Sequence, residues 1–350
     1  MVADRIDQPF GAATAETNSP LSCRKKPTMN IRLIIVTGLA LSSALWAMPG
    51  TARGQIIYES DNTTGTVGEY NLDGTPINAS LITGLNQPLG IAVAGNNLYV
   101  ITLDGGTIGT VREYNATTGA VINPSLLTQS QDPYVLALSG NNLYVVSPGA
   151  SGIGSGLVGV YDATTGAAIH APLLTGLIYP VGVAISGNNL YLPQQLNGTF
   201  GQISIYDATT GAAVSNPLIS GLLHAPEGLL VSGNMLYEAN AGNGTIGLYN
   251  ATTGATINGS FISGLDSPSQ LALYGNELFV SNVNSGAIGV YDATTGAAIN
   301  ASLISGLSGP FGIAAVPEPS TWTGGFLTAG AIMYSIWRKR RRMTSSSATA

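Results

Sequence analysis

The chain has 350 residues, a formal net charge of −6, 46 glycines and only 9% charged residues; it is too apolar for a disordered chain, and its glycines lack the regular spacing of collagen. Residues 55–316 carry 14 Asp and Glu and a single base, Arg112, with no Lys, which argues against nucleic acid or phosphate as a partner, because neutralising phosphates needs Lys and Arg. The one cysteine, Cys23, precedes the expected mature start, so neither a disulfide framework nor a thiolate metal site is expected.

The first 54 residues read as a signal peptide region. Arg24, Lys25 and Lys26 precede an apolar run from Ile34 to Ala47, and the small-residue stretch Ala52-Arg53-Gly54 follows. This is the order of a secretory signal, with an apolar core too short to be a stable membrane span. Cleavage is expected near Gly54, with Ala47 as the alternative, and Met29 is a second candidate start.

From Gln55 to Val316 the sequence repeats itself. Gly-Val-Tyr-Asp-Ala-Thr-Thr-Gly-Ala surrounds Tyr161 and Tyr291, close variants surround Tyr114, Tyr206 and Tyr249, and a weaker one surrounds Tyr70. A period of about 42–47 residues built from short Val-, Ile- and Tyr-rich segments points to a propeller rather than a helical solenoid. Each repeat predicts four strands. The first follows a proline, as in Gly90 to Val93; the second is Leu98-Tyr99-Val100; the third is Ile288 to Tyr291; the fourth is Ala298 to Ile304. Gly-Asn-Asn turns, as at Gly95 to Asn97, join strands one and two, because Gly and Asn tolerate a positive φ. Asp-Ala-Thr-Thr-Gly turns, as at Asp162 to Gly166, join strands three and four. Their first residue is Asp at 162, 207 and 292 but Asn at 71, 115 and 250, an interchange that suits a side chain bonding its own backbone better than a metal ligand.

Proline opens the first strand six times, at Pro88, Pro133, Pro180, Pro226, Pro268 and Pro310. With Ile56-Ile57-Tyr58 as the first copy of the second strand, the domain starts on a second strand and ends on a first strand, Gly312 to Ala315. The expected fold is therefore all-β, a six-bladed β-propeller of four-stranded antiparallel blades, with offset closure by the N- and C-terminal strands hiding the edge at the seam. The pattern Pro-Xaa-Gly-Ile-Ala-Val, Gly-Asn-Asn-Leu-Tyr-Val, Ile-Gly-Val-Tyr resembles NHL-type and related six-bladed propellers. That resemblance implies the fold but not the activity, since such propellers include scaffolds, lactonases and lyases.

Catalytic signals are weak. His170 and His224 occupy different repeat positions, without a His or carboxylate at ligand spacing; no Ser has a nucleophile-elbow context; and the glycine-rich stretch 149–156 lacks the Lys of a phosphate loop. The residues after the six prolines are Leu89, Tyr134, Val181, Glu227, Ser269 and Phe311, one carboxylate among six, which does not make the divalent-ion site of six-bladed hydrolases. No metal, cofactor or catalytic residue is expected. The candidate ligand face is the one opposite the Gly-Asn-Asn and Asp-Ala-Thr-Thr-Gly turns, where loops vary in length and carry Gln87, Asp132, Tyr134, Tyr179, His224, Glu227 and Asp266. Tyr134 and Tyr179 there would stack on a sugar.

After the repeats, Pro317-Glu318-Pro319 leads into an apolar stretch from Trp322 to Trp337, read as a single transmembrane helix. The basic cluster Arg338, Lys339, Arg340, Arg341 and Arg342 follows, then a polar tail, 343–350. The basic cluster is expected to stay cytoplasmic. The arrangement over 317–342 resembles the PEP-CTERM sorting signal, which implies recognition of Pro317, Glu318 and Pro319 by a membrane peptidase, exosortase, with the helix and basic cluster as a transient anchor. Together these readings predict an exported, non-catalytic cell-surface or matrix protein, held in the inner membrane as a precursor. Its propeller is expected to bind exopolysaccharide or another surface protein or to serve as structure. The alternative is a secreted propeller enzyme of lactonase or lyase type.

Overall fold

The computed structural model describes residues 55–316 except 106–107, 130, 150–153, 197–199 and 224. The signal region, the sorting motif, the expected transmembrane helix and the basic cluster lie outside the described residues. No helix among the described residues is long and apolar enough to cross a membrane.

Among the described residues, twenty-four strands form six four-stranded antiparallel sheets. Blade 1 contains β1 (Ile56–Asp61), β2 (Thr66–Asn71) and β3 (Pro76–Ile82). Blade 2 is β4 (Pro88–Ala94), β5 (Asn97–Leu103), β6 (Gly109–Asn115) and β7 (Val121–Gln129). Blade 3 is β8 (Val135–Ser139), β9 (Asn142–Ser147), β10 (Gly156–Asp162) and β11 (Ala168–Leu177). Blade 4 is β12 (Ala184–Ser186), β13 (Asn189–Gln195), β14 (Phe200–Asp207) and β15 (Ala213–Leu223). Blade 5 is β16 (Pro226–Ser232), β17 (Met235–Asn240), β18 (Thr245–Asn250) and β19 (Thr256–Ser263). Blade 6 is β20 (Pro268–Tyr274), β21 (Glu277–Asn282), β22 (Ala287–Asp292) and β23 (Ala298–Ser305). The last strand, β24 (Pro310–Val316), returns to blade 1 and pairs with β1, Ile56 opposite Val316 and Glu59 opposite Ile313. The first strands β24, β4, β8, β12, β16 and β20 touch one another in cyclic order, closing the ring. The expected six blades and offset closure are both present.

The repeat residues explain the packing. Second strands are sandwiched between neighbouring blades, so β1 is buried at all six positions and Leu98, Leu143, Leu190, Leu236 and Leu278 have no exposure. Burying one such side chain contributes about 1.5–3 kcal/mol. Fourth strands form the rim and are exposed over their first half. The second-strand tyrosine reaches the next blade: the hydroxyls of Tyr58, Tyr144, Tyr191 and Tyr237 donate to the carbonyls of Ala116, Ala208, Ala251 and Ala293 at 2.9, 3.2, 3.2 and 2.7 Å. At the seam the tyrosine is replaced by Phe279, and Leu72 stands in the turn where the other five blades have alanine; both join one apolar cluster.

The Asp-Ala-Thr-Thr-Gly turn works as an Asx turn. Asp162 Oδ1 accepts the backbone N–H of Thr164 and Thr165 at 3.0 and 2.8 Å, and Asn115 Oδ1 does the same for Thr117 and Thr118 at 3.0 and 2.9 Å. One carbonyl-type oxygen suffices, which is why Asp and Asn interchange. Gly166 has φ 71°, and a Cβ there would lie 2.0 Å from Leu126 O of the preceding blade, so both conformation and contact demand glycine.

The first strand is shorter in blade 4 than in its neighbours. Pro193 of β13 cannot donate to a ladder, and the β12 pairing stops at Ala184–Tyr191, leaving an isolated bridge between Pro180 and Gln194.

Candidate functional site

Two faces are distinguished by hydrogen bonds. On one, the strand 3–4 turn of blades 2 to 6 binds the strand 1–2 turn of its own blade, as in Ala163 N–H to Asn141 O at 2.9 Å and Ala293 N–H to Asn276 O at 2.8 Å. On the other, the loop leading into the proline binds the end of strand two or the residue after it in four blades: Asn62 N–H to Gly309 O at 2.9 Å, Leu103 N–H to Asn86 O at 3.0 Å, Gln195 N–H to Tyr179 O at 3.3 Å and Val283 N–H to Ser267 O at 3.1 Å. The expected separation of near-identical turns from variable loops is the observed one.

The variable face surrounds the ring of prolines. Gln87, Asp132, Tyr179, Ala225 and Ser267, the residues before five of the six prolines, have φ between 43° and 57°. A left-handed conformation is costly for a residue with a Cβ and disfavoured before proline; at Gln87, Tyr179 and Ser267 it is held by the loop contacts just described. Such outliers concentrate at functional sites. Of the sequence candidates, Gln87, Asp132 and Tyr179 lie on this ring and Asp266 is one residue before it. Gln87, Tyr179 and Asp266 are exposed, and Asn284 donates to Asp266 Oδ1 at 3.3 Å. His224 lies outside the described residues, and His170 is exposed on the rim strand β11.

Behind the mouth the residues after the prolines converge on the axis. Gly90 N–H donates to Tyr134 O at 3.1 Å, and Cβ atoms at Gly182, Gly228 and Gly312 would strike the carbonyls of Glu227, Ser269 and Leu89. The glycine of Pro-Xaa-Gly is thus where adjacent blades touch backbone to backbone. Tyr134 of blade 3 meets Phe311 of blade 1 edge-on across the ring, centroids 4.9 Å apart. Tyr134 is therefore only partly accessible, unlike the open stacking platform expected of it; Tyr179, 45% exposed, remains one. Burial raises the Tyr134 phenol well above its ordinary range, with Glu227 and Tyr179 adding to the shift. Burial also raises the Glu227 carboxyl. Ser269 offsets part of that shift, although Ser269 Oγ falls outside hydrogen-bonding geometry to any partner. Asp132 Oδ1 and Gln270 Nε2 are likewise buried and unpaired. These atoms give the mouth unused capacity for a polar ligand. Among the described residues, no three His, Cys, Asp or Glu side chains are close enough to share a metal ion.

A second feature escaped the sequence reading: Glu59 and Glu238, at the same repeat position on β1 and β17, are each 1% exposed. Desolvation lifts both carboxyls from 4.5 to about 8, with the Asp61 charge adding to the shift at Glu59.

No protein-family model matches the chain, and no curated protein does. Among solved structures, a chain in the crystal structure of a nidogen/laminin complex superposes with a TM-score of 0.63 at 18% identity, over 75% of this chain and 98% of that one. A computationally designed protein, Ika8, aligns with a TM-score of 0.45 at 18% identity, over 73% and 74% of the two chains. At such identity the nidogen/laminin match shows the propeller fold alone.

Proposed function

We propose that this protein is an exported, non-catalytic propeller of the cell surface or extracellular matrix, released from a transient membrane anchor by an exosortase-type peptidase at Pro317-Glu318-Pro319, and that it binds matrix polysaccharide or a surface protein through the proline mouth. The observation that carries the binding reading is the division of labour within the repeat. Its recurring residues are spent on turns, ladders and blade contacts, whereas the irregular side chains, the left-handed residues before proline and the unpaired Asp132 Oδ1, Ser269 Oγ and Gln270 Nε2 meet at one mouth. The solved propeller in the nidogen/laminin complex is a precedent for this architecture in a protein complex. The sorting half is supported by the order of motif, apolar stretch and basic cluster.

Two experiments test it. Intact mass of cell-surface material should show a C-terminus between Pro317 and Thr321 and no Arg338–Arg342; a surface species retaining that cluster overturns the processing. In a pull-down against the producing cells' own matrix polysaccharide and surface proteins, Tyr179→Ala with Asp132→Ala should reduce capture by at least fivefold. Thr164→Ala with Thr294→Ala, on the opposite face, should leave capture unchanged. Equal capture by both pairs refutes the mouth as the binding surface.

A further inference from the structure

Outside the mouth, the flank between blade 6 and blade 1 holds a cleft of about 570 Å3. Its floor is Glu59, Asp61 and Tyr70. Its walls include Thr64, Thr66 and Pro76 on blade 1 and Leu303, Ser305 and Leu307 from β23 and the turn after it. Glu59 is 1% exposed and lines the cleft; neither of its carboxyl oxygens falls within hydrogen-bonding geometry of a partner, the Gly68 N–H only tempering its raised pKa. Opposite Glu59, Gly68 lets the Tyr70 ring pack against the strand: a Cβ there would lie 2.5 Å from Tyr70 Cε2, 2.7 Å from Glu59 Oε1 and 3.0 Å from the Tyr70 hydroxyl. Asp61 is held as an anion by the N–H groups of Thr63 and Thr64 at 3.0 and 2.9 Å and of Ser308 at 2.6 Å.

The same crevice one blade on, between blades 1 and 2, shows what fits there. Arg112 stands opposite Val100 as Gly68 stands opposite Glu59. Its guanidinium lies in a crevice of about 430 Å3 and donates to Asp104 Oδ1 at 2.8 Å and Pro124 O at 3.0 Å, while its Nε donates to Thr102 Oγ1 at 2.9 Å. Blade 1 has the reverse allocation: carboxyls at 59 and 61, glycine where the cation would be, and no base of its own, since Arg112 is the sole base of residues 55–316. We infer that the blade 6–blade 1 cleft is a binding site for an arginine side chain presented by a basic peptide segment of a partner protein, its guanidinium on Glu59 and Asp61 where blade 2 carries its own Arg112. The Arg112 crevice keeps about 430 Å3 open with its arginine in place, and the blade 6–blade 1 cleft, about 570 Å3 without one, has space for an arginine as well as an open approach for its flanking residues; the excess of acidic residues in the domain steers a basic partner toward it. A planar guanidinium matches carboxylate geometry better than an ammonium does. The site is distinct from the proline mouth.

The groups facing Glu59 are Asp61 on its own strand and Tyr70 on β2; β3, β23 and β24 bring no titratable group to the cleft. With its carboxyl raised to about 8, Glu59 is largely protonated at pH 7 and must release its proton to pair with a cation, so binding should release up to about one proton per ligand. Calorimetry in buffers of different ionisation enthalpy reads this directly. The probes are Nα-acetyl-arginine amide, its neutral isostere Nα-acetyl-citrulline amide, Nα-acetyl-lysine amide, and a heptapeptide with one central arginine. Arginine amide should bind, citrulline amide should not, lysine amide should bind at least threefold more weakly, and the heptapeptide at least tenfold more tightly than arginine amide. Glu59→Gln should weaken arginine binding at least tenfold, and Gly68→Arg, which restores the blade 2 arrangement, should abolish it, with melting temperature reporting that each variant is folded. Tyr179→Ala should change nothing here, which separates this site from the mouth. Absence of arginine binding, equal binding of citrulline amide, binding unchanged in Glu59→Gln, or release of no proton would overturn the assignment.

Discussion

At Glu59 and Glu238 a carboxyl is buried among strands that otherwise present Val or Leu: Val100, Val145, Leu192 and Val280 fill the corresponding positions. A folded-state pKa of about 8 against 4.5 means that folding favours the protonated acid. The stability associated with each is fully present below about pH 4.5 and is lost as pH rises toward 8, by roughly 3–5 kcal/mol per group. Asp61 works in the opposite direction, since its lowered pKa adds stability above the ordinary aspartate range that is lost on acidification. The prediction is a melting temperature that falls between pH 5 and pH 8, with Glu59→Gln and Glu238→Gln each flattening the fall and raising the value at pH 8. Glycine offers a second check. Gly166→Ala meets both a φ of 71° and the Leu126 carbonyl, whereas Gly187→Ala meets a φ of 59° and open space. The first should cost more than about 2 kcal/mol and the second about 1 kcal/mol in denaturant unfolding.

Strands and turns were legible because each repeat writes the same signals. The prolines mark first strands, Gly-Asn-Asn and Asp-Ala-Thr-Thr-Gly mark turns, and the count of six with an unmatched strand at either end implies the closure between β1 and β24. Glu59 was not legible. A carboxylate in Tyr-Glu-Ser-Asp reads as facing solvent by simple alternation, but a second strand has a blade on both sides, so alternation carries no exposure signal there. The left-handed residues before proline were equally hidden, because local preference runs against them; around Gln87, Tyr179 and Ser267 it is contacts between distant loop segments that hold them. Tyr134 lies on the proline face the repeat assigns it, just before β8, but its contact with Phe311 joins blades that are not adjacent, and no local pattern reports that. The recurring contact between blades is open to test: Tyr237→Phe removes the 2.7 Å hydrogen bond to Ala293 O and should cost about 1 kcal/mol, while a hydroxyl-free side chain is already native at Phe279, where Leu72 packs instead.

For the molecule as a whole, the seam between β24 and β1 is the one place where a sheet is assembled from both ends of the domain. Ser60 Oγ reinforces it, donating to Leu89 O at 2.6 Å and accepting from Gly312 N–H at 2.9 Å, so that one hydroxyl joins the closing strand to blade 2. Deleting residues 310–316 should expose β1 as a sheet edge, and the expected result is loss of solubility or a drop in melting temperature of more than about 10 °C; a truncated domain that melts like the parent would mean that the array does not need its ring closed.

That seam also sets the order in which the chain can gain structure. A hairpin such as β1–β2 closes a loop of a few residues, whereas Ile56 and Val316 are paired across the length of the domain. For a flexible chain, the difference in loop-closure entropy is about 3 kcal/mol, enough to make the seam the last contact formed from a disordered state. Once successive blades have stacked, however, the ring has already brought its two ends together and most of that cost is gone. The seam therefore follows the blades in folding and precedes them in unfolding. Native-state hydrogen exchange should find the amides of β24 and β1 opening at lower free energy than those of β9 and β13, on the far side of the ring, with the last strand acting as a latch whose release leaves the interior blades intact.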